Sequence, residues 1–260
     1  MGHIHLGTLP RTRLWNDVVS LLKDSASVEQ VAAASAQAAE ASLRGASGDP
    51  VFVEAVRLLV SIPIAARLPD FGDALRRLDL DVSNSPTLME VVSAATARLD
   101  RIAAGSAVNS DFCEIATRAL SATYIDHIGS DLPGLFAPNS DDVQASFRKF
   151  SHSNGMAILC RGFFGNLVGS SLSYWLDRVL TQNVGDGRSF ASAGEKVQFD
   201  RALRIHTVEA TRIIQEFSGG WVGKKMYDKG KIDTDDARDF AHVCLKKIVA
   251  ELKVRRGLHA

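Results

Sequence analysis

The chain has 260 residues, of which 46% are hydrophobic and 23% charged, a globular composition that excludes disorder over most of its length. Thirty basic residues balance thirty acidic ones, so no whole-molecule charge attracts nucleic acid or an anionic membrane, and such a partner has to bind a local patch. The charge is unevenly spread, because residues 224–260 hold ten basic and six acidic side chains, a net charge of +4.

Capping signals divide the first half of the chain into a series of predicted helices. Ser, Asp and Pro residues begin the segments and glycines end them, as in the capping box of Ser27 and Gln30 and in the pair Asp49-Pro50. Pro63 is expected to break or kink the third helix. The predicted helices cover residues 11–24, 27–45, 51–62, 85–105 and 111–129.

A boundary between two regions is predicted at residues 131–142, DLPGLFAPNSDD, which contain three turn-forming residues. We expect an N-terminal helical region with an extended N-terminal arm over residues 1–132, and a C-terminal helical bundle over residues 139–260. The second half contains predicted helices over residues 141–150, 154–182, 192–217 and from 233 onwards. The helix over 154–182 is apolar nearly all round, which indicates the central buried helix of the bundle. Few segments alternate as half-buried strands do, so we predict an all-α fold.

The stretch FSGGWVGKKMYDKGKID, residues 217–233, combines glycines and lysines and invites comparison with a phosphate-binding loop. A P-loop requires four residues between its first glycine and the GK pair, followed by Ser or Thr. Here Gly219 and Gly223 enclose three residues, and Lys225 follows Lys224. A P-loop also follows a strand, whereas this stretch follows a predicted helix. We therefore predict a joint in which the glycines end one helix near Phe217 and the chain turns.

Basic residues of this joint and of the last helix form a candidate surface for nucleic acid. Lysines interleaved with a tryptophan can contact phosphate and stack a base. The alternative is a solvated loop with the tryptophan folded into the core, and helix-terminal lysines that only complement the helix dipole. The candidate residues are Trp221, Lys224, Lys225, Lys229, Lys231, Lys246, Lys253, Arg255 and Arg256.

A second candidate site is a pocket for an anionic ligand around Arg161, which falls within the apolar arc of the predicted central helix. Such a charge needs a carboxylate partner, water or a ligand, so a structural ion pair is the alternative. His206 lies in the apolar stripe of the following helix, and Glu209 comes one turn later. Arg188 belongs to a glycine-containing turn that is capable of forming an anion nest.

Metal and catalytic motifs are missing from the sequence. The pairs His206/Glu209 and Asp239/His242 have the one-turn spacing of di-metal helical bundles. However, His206 lies on the apolar face of its helix, whereas Asp239 and His242 lie on the polar face of theirs, so the two pairs are not expected to form a metal site. No G-x-S-x-G, H-E-x-x-H, kinase or Rossmann pattern occurs, which leaves an enzymatic activity unsupported and predicts no cofactor.

Cysteine usage and hydropathy indicate the cellular setting. Three widely spaced cysteines without a C-x-x-C pair argue against a disulfide framework and favour a reducing cytoplasm. The N-terminus lacks the charged start and apolar run of a signal peptide. The longest uncharged apolar tract, residues 162–176, is shorter than the ~20 residues that cross a bilayer. We expect a cytoplasmic protein without a membrane partner.

Three segments resemble parts of uncharacterised helical bacterial proteins that are encoded in multi-gene clusters, including defence-type clusters. These segments are HLGTLPRTRLWNDVV, FFGNLVGSSLSYWLDRVL and EFSGGWVGKKMYD. They carry no catalytic residues, so the resemblance implies only that the protein works as a subunit.

The function predicted from these features is that of a non-enzymatic accessory or scaffold subunit. Protein partners are expected, and nucleic acid is a candidate partner for the basic C-terminal region. The alternative is an enzyme or small-ligand sensor with an anionic-ligand pocket at Arg161, His206 and Glu209. A membrane-active effector that uses residues 162–176 is a third class.

Overall fold

Nearly all of the described chain is helical, and the all-α prediction is confirmed. The computed structural model describes residues 12–24, 26–106, 111–133, 138–182, 184–185 and 190–255. Within these ranges the only β-type pairing is an isolated bridge between Val184 and Phe190. The helices are Arg13–Lys23 (α1), Val28–Ala46 (α2), Pro50–Ala65 (α3), Phe71–Arg76 (α4), Leu88–Gly105 (α5), Asp111–Tyr124 (α6), Ser140–Phe150 (α7), Ser153–Gln182 (α8), Ala193–Ala210 (α9), Arg212–Lys229 (α10) and Thr234–Arg255 (α11). A π-helical turn, Ile125–Gly129, extends α6.

Ser27 and Asp49 cap their helices as expected, whereas the helix predicted from Ser85 begins at Leu88 and is capped by Thr87. Ser27 Oγ accepts from the Gln30 amide at 3.3 Å while Gln30 Oε1 accepts from the Ser27 amide at 3.1 Å, which is a complete capping box. Asp49 Oδ1 accepts from the amides of Val51 and Phe52 at 2.9 and 3.1 Å. These side chains satisfy amides that lack a partner inside the helix, so the helix starts were readable from the sequence.

Pro63 does not end α3, which continues to Ala65. The prediction of a break is wrong because both sides of the proline are held in the core. Leu59, Ile62 and Ala66 are fully buried. The free energy gained by burying these side chains exceeds the cost of the backbone hydrogen bond that proline cannot donate.

Residues 217–229 form the second half of α10 and are not a joint. The helix before them ends at Ala210, with Thr211 at the break, and the turn after α10 begins at Gly230 in the left-handed conformation (φ 69°). The prediction of a joint is wrong because packing of α10 on α8 overrides the low helix propensity of glycine. The same packing excludes the exposed hairpin on which the nucleic-acid surface was predicted.

The long helix α8 is central, as predicted, and packs against α6, α9 and α10. Buried aromatic rings connect it to both ends of the chain: the ring centroids of Phe164 lie 6.3 Å from Phe52 on α3 and 6.1 Å from Phe240 on α11. The buried core residues on both sides of segment 134–137 belong to one cluster. The division into an N-terminal helical region, 1–132, and a C-terminal bundle, 139–260, stays a prediction.

Within the described residues, none of the helices combines the length and the apolarity needed to traverse a bilayer. The apolar tract 162–176 lies inside α8, where Phe163, Leu167 and Leu172 are fully buried. Its hydrophobicity therefore serves the core of the bundle.

Candidate functional site

Arg161 and Glu209 come together as an ion pair. Arg161 Nη2 lies 3.0 Å from Glu209 Oε1, and Arg161 Nη1 donates to Gln215 Oε1 at 3.0 Å. The ion pair links α8 to α9, and the hydrogen bond to the Gln215 side chain links α8 to α10. This geometry is that of a structural ion pair, the alternative to a ligand pocket. His206 is half-buried one turn before Glu209. Ligand binding at this cluster stays a prediction, and Arg188 lies outside the described residues.

Asp236, in the first turn of α11, joins this helix to α10. It is 2% exposed and accepts from Lys225 Nζ at 2.5 Å and from Lys229 Nζ at 2.9 Å. Burial by itself raises the pKa of the carboxyl, but the hydrogen bonds from both lysines and the Asp233 backbone outweigh it and hold the pKa well below its usual range. Two of the predicted nucleic-acid contacts are thus engaged in holding the helix pair together.

Trp221 packs inside the α10–α11 pair. Its ring stacks on Phe240 with centroids 4.5 Å apart and planes at 26°, and Lys225 Nζ lies 5.5 Å from its centroid. This position matches the alternative in which the tryptophan folds against the core. Stacking on Phe240 and the approach of Lys225 reduce the surface of the half-buried ring that is left for a base.

The remaining predicted basic contacts divide into paired and unpaired groups. Lys253 forms an ion pair with Glu40 of α2. In the described chain, Lys224, Lys231 and Lys246 are exposed and have no carboxylate within ion-pair distance. The Arg255 side chain and Arg256 lie outside the part of the chain that the structure describes.

A groove that the sequence did not predict lies between α10 and the start of α8. It has a volume of about 330 Å³. Arg67 contributes from the end of α3, and the junction of α7 and α8 contributes two serines. Its lining residues are Arg67, Ser151, Ser153, Met156, Gly219, Val222, Gly223, Met226 and Tyr227. In the sequence, the groove is marked locally only by the glycines of residues 219–223, from which a joint between helices was predicted.

Neither a metal centre nor an activated thiol occurs in the described part of the chain. No group of three or more potential metal ligands comes together among those residues. Cys113, Cys160 and Cys244 are all buried as free thiols. Burial raises the pKa of Cys160 to about 12, which keeps its thiol protonated and unreactive at neutral pH.

Comparisons with known proteins identify no relative of this chain. It matches no protein-family model, and neither a curated protein nor a solved structure matches it. Function therefore has to be inferred from the surfaces and contacts of the chain itself.

Proposed function

We propose that this protein is a non-catalytic subunit of a cytoplasmic assembly and binds a protein partner through α10 and α11, with carboxylates of the partner opposite its exposed lysines. The observation that supports this is the set of exposed lysines without a carboxylate partner in the described chain, Lys224, Lys231 and Lys246. We call this set the free lysines. Charges that are not matched within a protein can be matched by a complementary partner surface, which steers association and fixes its orientation.

A protein partner fits these helices better than a polyphosphate chain does. Exposed acidic residues, Asp228, Asp235 and Asp239, alternate with the lysines along α10, α11 and the turn between them. They repel a phosphate backbone, which favours an uninterrupted basic stripe. The tryptophan near the lysines is already stacked on Phe240, which favours a role for its ring in holding the helix pair together. A protein surface can match a mixed pattern of charges residue by residue.

The helix pair is also rigid enough to present its side chains in a fixed arrangement. Asp236 holds two lysines of α10, and aromatic contacts of Phe240 with Trp221 and Phe217 join the helices below the surface. A surface that is ordered before binding loses little conformational entropy when the partner arrives.

The search for the partner begins with the products of neighbouring genes. The resemblance of three segments to proteins of bacterial multi-gene clusters, including defence-type clusters, motivates that choice. Lys246 and Lys224 are the positions to test, because a change of charge there alters a partner contact without removing an internal ion pair.

The experiment is co-purification of the tagged chain from its source organism at low and at high salt, in wild type and in the double variant Lys224→Glu/Lys246→Glu. Arg118→Glu, an exposed charge reversal on α6, is the control. We expect a stoichiometric protein partner with wild type and with the control, and its loss or marked weakening with the double variant. Nucleic acid that is released between about 50 and 200 mM salt, or a chain recovered alone, would contradict the proposal.

A further inference from the structure

The groove between α8 and α10 has an apolar floor and a basic end. Met156 is fully buried and Val222 is 4% exposed at its base, and the half-buried Met226 continues the apolar surface along α10. Tyr227 stands at the rim and is 91% exposed. An apolar floor beside a few polar groups is the usual composition of a small-molecule site, and about 330 Å³ lies at the lower end of the usual size range.

Arg67 supplies the charge at the basic end and is held in a fixed orientation. Its Nε donates to Ser151 Oγ at 2.8 Å, and its Nη2 donates to the Ser151 carbonyl oxygen. Ser151 is 3% exposed and is itself fixed, because its Oγ lies 2.6 Å from the Arg148 carbonyl oxygen. A guanidinium positioned in this way needs no reorganisation before it binds an anion.

The charge of Arg67 is not neutralised by the groove. Its acceptors are a hydroxyl and a carbonyl, and its Nη1 donates no hydrogen bond to the described residues. Of the described residues that line the groove, none carries a carboxylate. Arg148, whose Nε donates to the Ala66 carbonyl at 3.0 Å, brings a second guanidinium to the backbone next to Arg67. Charge complementarity therefore selects an anion.

We propose that the groove binds a small amphiphilic anion, in which an oxyanion group bonds to Arg67 and an apolar group lies on Met156 and Val222. The oxyanion is a phosphate monoester or a carboxylate, since both accept the parallel hydrogen bonds of a guanidinium. The Ser153 hydroxyl lies in the same lining and can donate to the oxyanion. This site is separate from the free lysines and does not depend on the proposed protein partner.

Two glycines of α10 provide a matched pair of variants for the test. A Cβ added at Gly223 or at Gly220 meets no atom within 4 Å, so both positions are open where a side chain would begin. Gly223 lines the groove, whereas Gly220 does not. Gly223→Leu therefore places an apolar side chain at the groove, and Gly220→Leu introduces the same residue into the same helix away from it.

The experiment titrates the full chain with four probes and follows backbone amide shifts by NMR and heat by calorimetry. Phenyl phosphate and phenylacetate carry both parts of the proposed ligand, inorganic phosphate carries only the anion, and benzyl alcohol carries only the apolar part. We expect one or both amphiphilic anions to bind at least about tenfold more tightly than either partial probe. The probe that binds more tightly, phenyl phosphate or phenylacetate, shows whether the groove prefers a phosphate monoester or a carboxylate.

The variants decide where binding occurs. Arg67→Gln should lower the affinity for the preferred probe by about tenfold or more, because a charge-assisted hydrogen bond is lost. Gly223→Leu should abolish saturable binding, while Gly220→Leu and Lys224→Glu/Lys246→Glu should leave it unchanged. Absence of saturable binding by both amphiphilic anions would overturn the proposal. Equal affinity of wild type and Gly223→Leu would also overturn it, and this variant removes no contact that supports the fold.

Discussion

Gly219 of α10 lies directly against Ser153, the first residue of α8: a methyl group added to the glycine would overlap the Ser153 carbonyl oxygen. The neighbouring Gly220 faces open space. Two adjacent glycines of one helix therefore have different roles. Only Gly219 is required for the close approach of α10 to α8, which also forms one wall of the groove.

The first prediction compares alanine at these two positions. Gly219→Ala should lower the free energy of unfolding by about 1–3 kcal/mol, because relief of the overlap requires movement of backbone atoms. Gly220→Ala should raise it by up to about 1 kcal/mol, since alanine favours an exposed helix interior. Urea denaturation followed by circular dichroism measures both. Equal effects of the two substitutions would show that α10 does not approach α8 as described.

The second prediction concerns Glu54, a buried carboxylate between two arginines. Glu54 is 5% exposed. It accepts two hydrogen bonds of 2.7 Å from Arg57 and one of 3.0 Å from Arg98. Burial raises the pKa of Glu54, but the arginine hydrogen bonds and charges outweigh burial and lower the pKa overall. Glu54→Gln should destabilise the fold by about 2–3 kcal/mol, because it removes the carboxylate that Arg57 hydrogen-bonds and leaves Arg98 with only its ion pair to the exposed Asp79.

A matched control for Glu54 exists on α6. Glu114 forms an ion pair with Arg118 in which the two side chains are 58% and 68% exposed. Glu114→Gln should change the free energy of unfolding by less than about 0.5 kcal/mol. A similar loss of stability in both variants would mean that burial of Glu54 does not strengthen its ion pairs.

The third prediction is a pH dependence that originates at Asp236. Its folded-state pKa is lowered, so its stabilising contribution is complete above the unfolded pKa of about 4 and is lost as the pH falls from there toward the folded value. Asp236→Asn should cost about 1–2 kcal/mol at pH 7, less than a fully buried pair because Lys225 and Lys229 reach solvent.

Unfolding of wild type and Asp236→Asn in urea at pH 7, 5, 4 and 3 measures this effect. The difference in stability between the two proteins should be constant from pH 7 to 5 and should shrink below pH 4. A difference that grew with acidity would have the wrong sign and would reject the lowered pKa.

The fourth prediction concerns the three thiols. Cys113, Cys160 and Cys244 are at most 5% exposed, and burial raises the pKa of Cys160 to about 12. Native protein at pH 8 should therefore react with Ellman's reagent only as fast as it unfolds, and all three thiols should react in denaturant. A cysteine introduced at the exposed Ser170 of α8 should react at once. Fast reaction of the natural chain would contradict the burial of at least one of its cysteines.

Local signals predicted helix starts well. Side chains such as Ser27 and Asp49 satisfy the amides of their own helix, so sequence and structure agree there without reference to the rest of the chain. The apolar circumference of residues 154–182 likewise predicted a central helix, because an all-apolar helix has to be surrounded by others. The short α4, residues 71–76, was missed, since six residues are too few to show a periodic pattern.

Tertiary contacts account for what the sequence did not predict. The glycines at 219–223 indicate a turn on local grounds, and only contact with Ser153 explains a continuous helix there. Arg161 clearly required a partner, but its carboxylate lies 48 residues away on another helix. The groove combines Arg67, residues 151–156 and residues 219–227, three segments whose proximity no local pattern reveals.

The docking of α11 on α2 and α3 has a consequence for biosynthesis. Lys253 reaches Glu40, and His242 Nδ1 lies 3.3 Å from Ser47 Oγ, and buried residues of the three helices share one core cluster. The apolar surface of α2 and α3 is therefore covered by a helix that is synthesised much later. A growing chain carries that surface uncovered while more than a hundred further residues are translated. Chaperone occupancy of the nascent chain should accordingly persist until α11 has left the ribosome, and then fall abruptly.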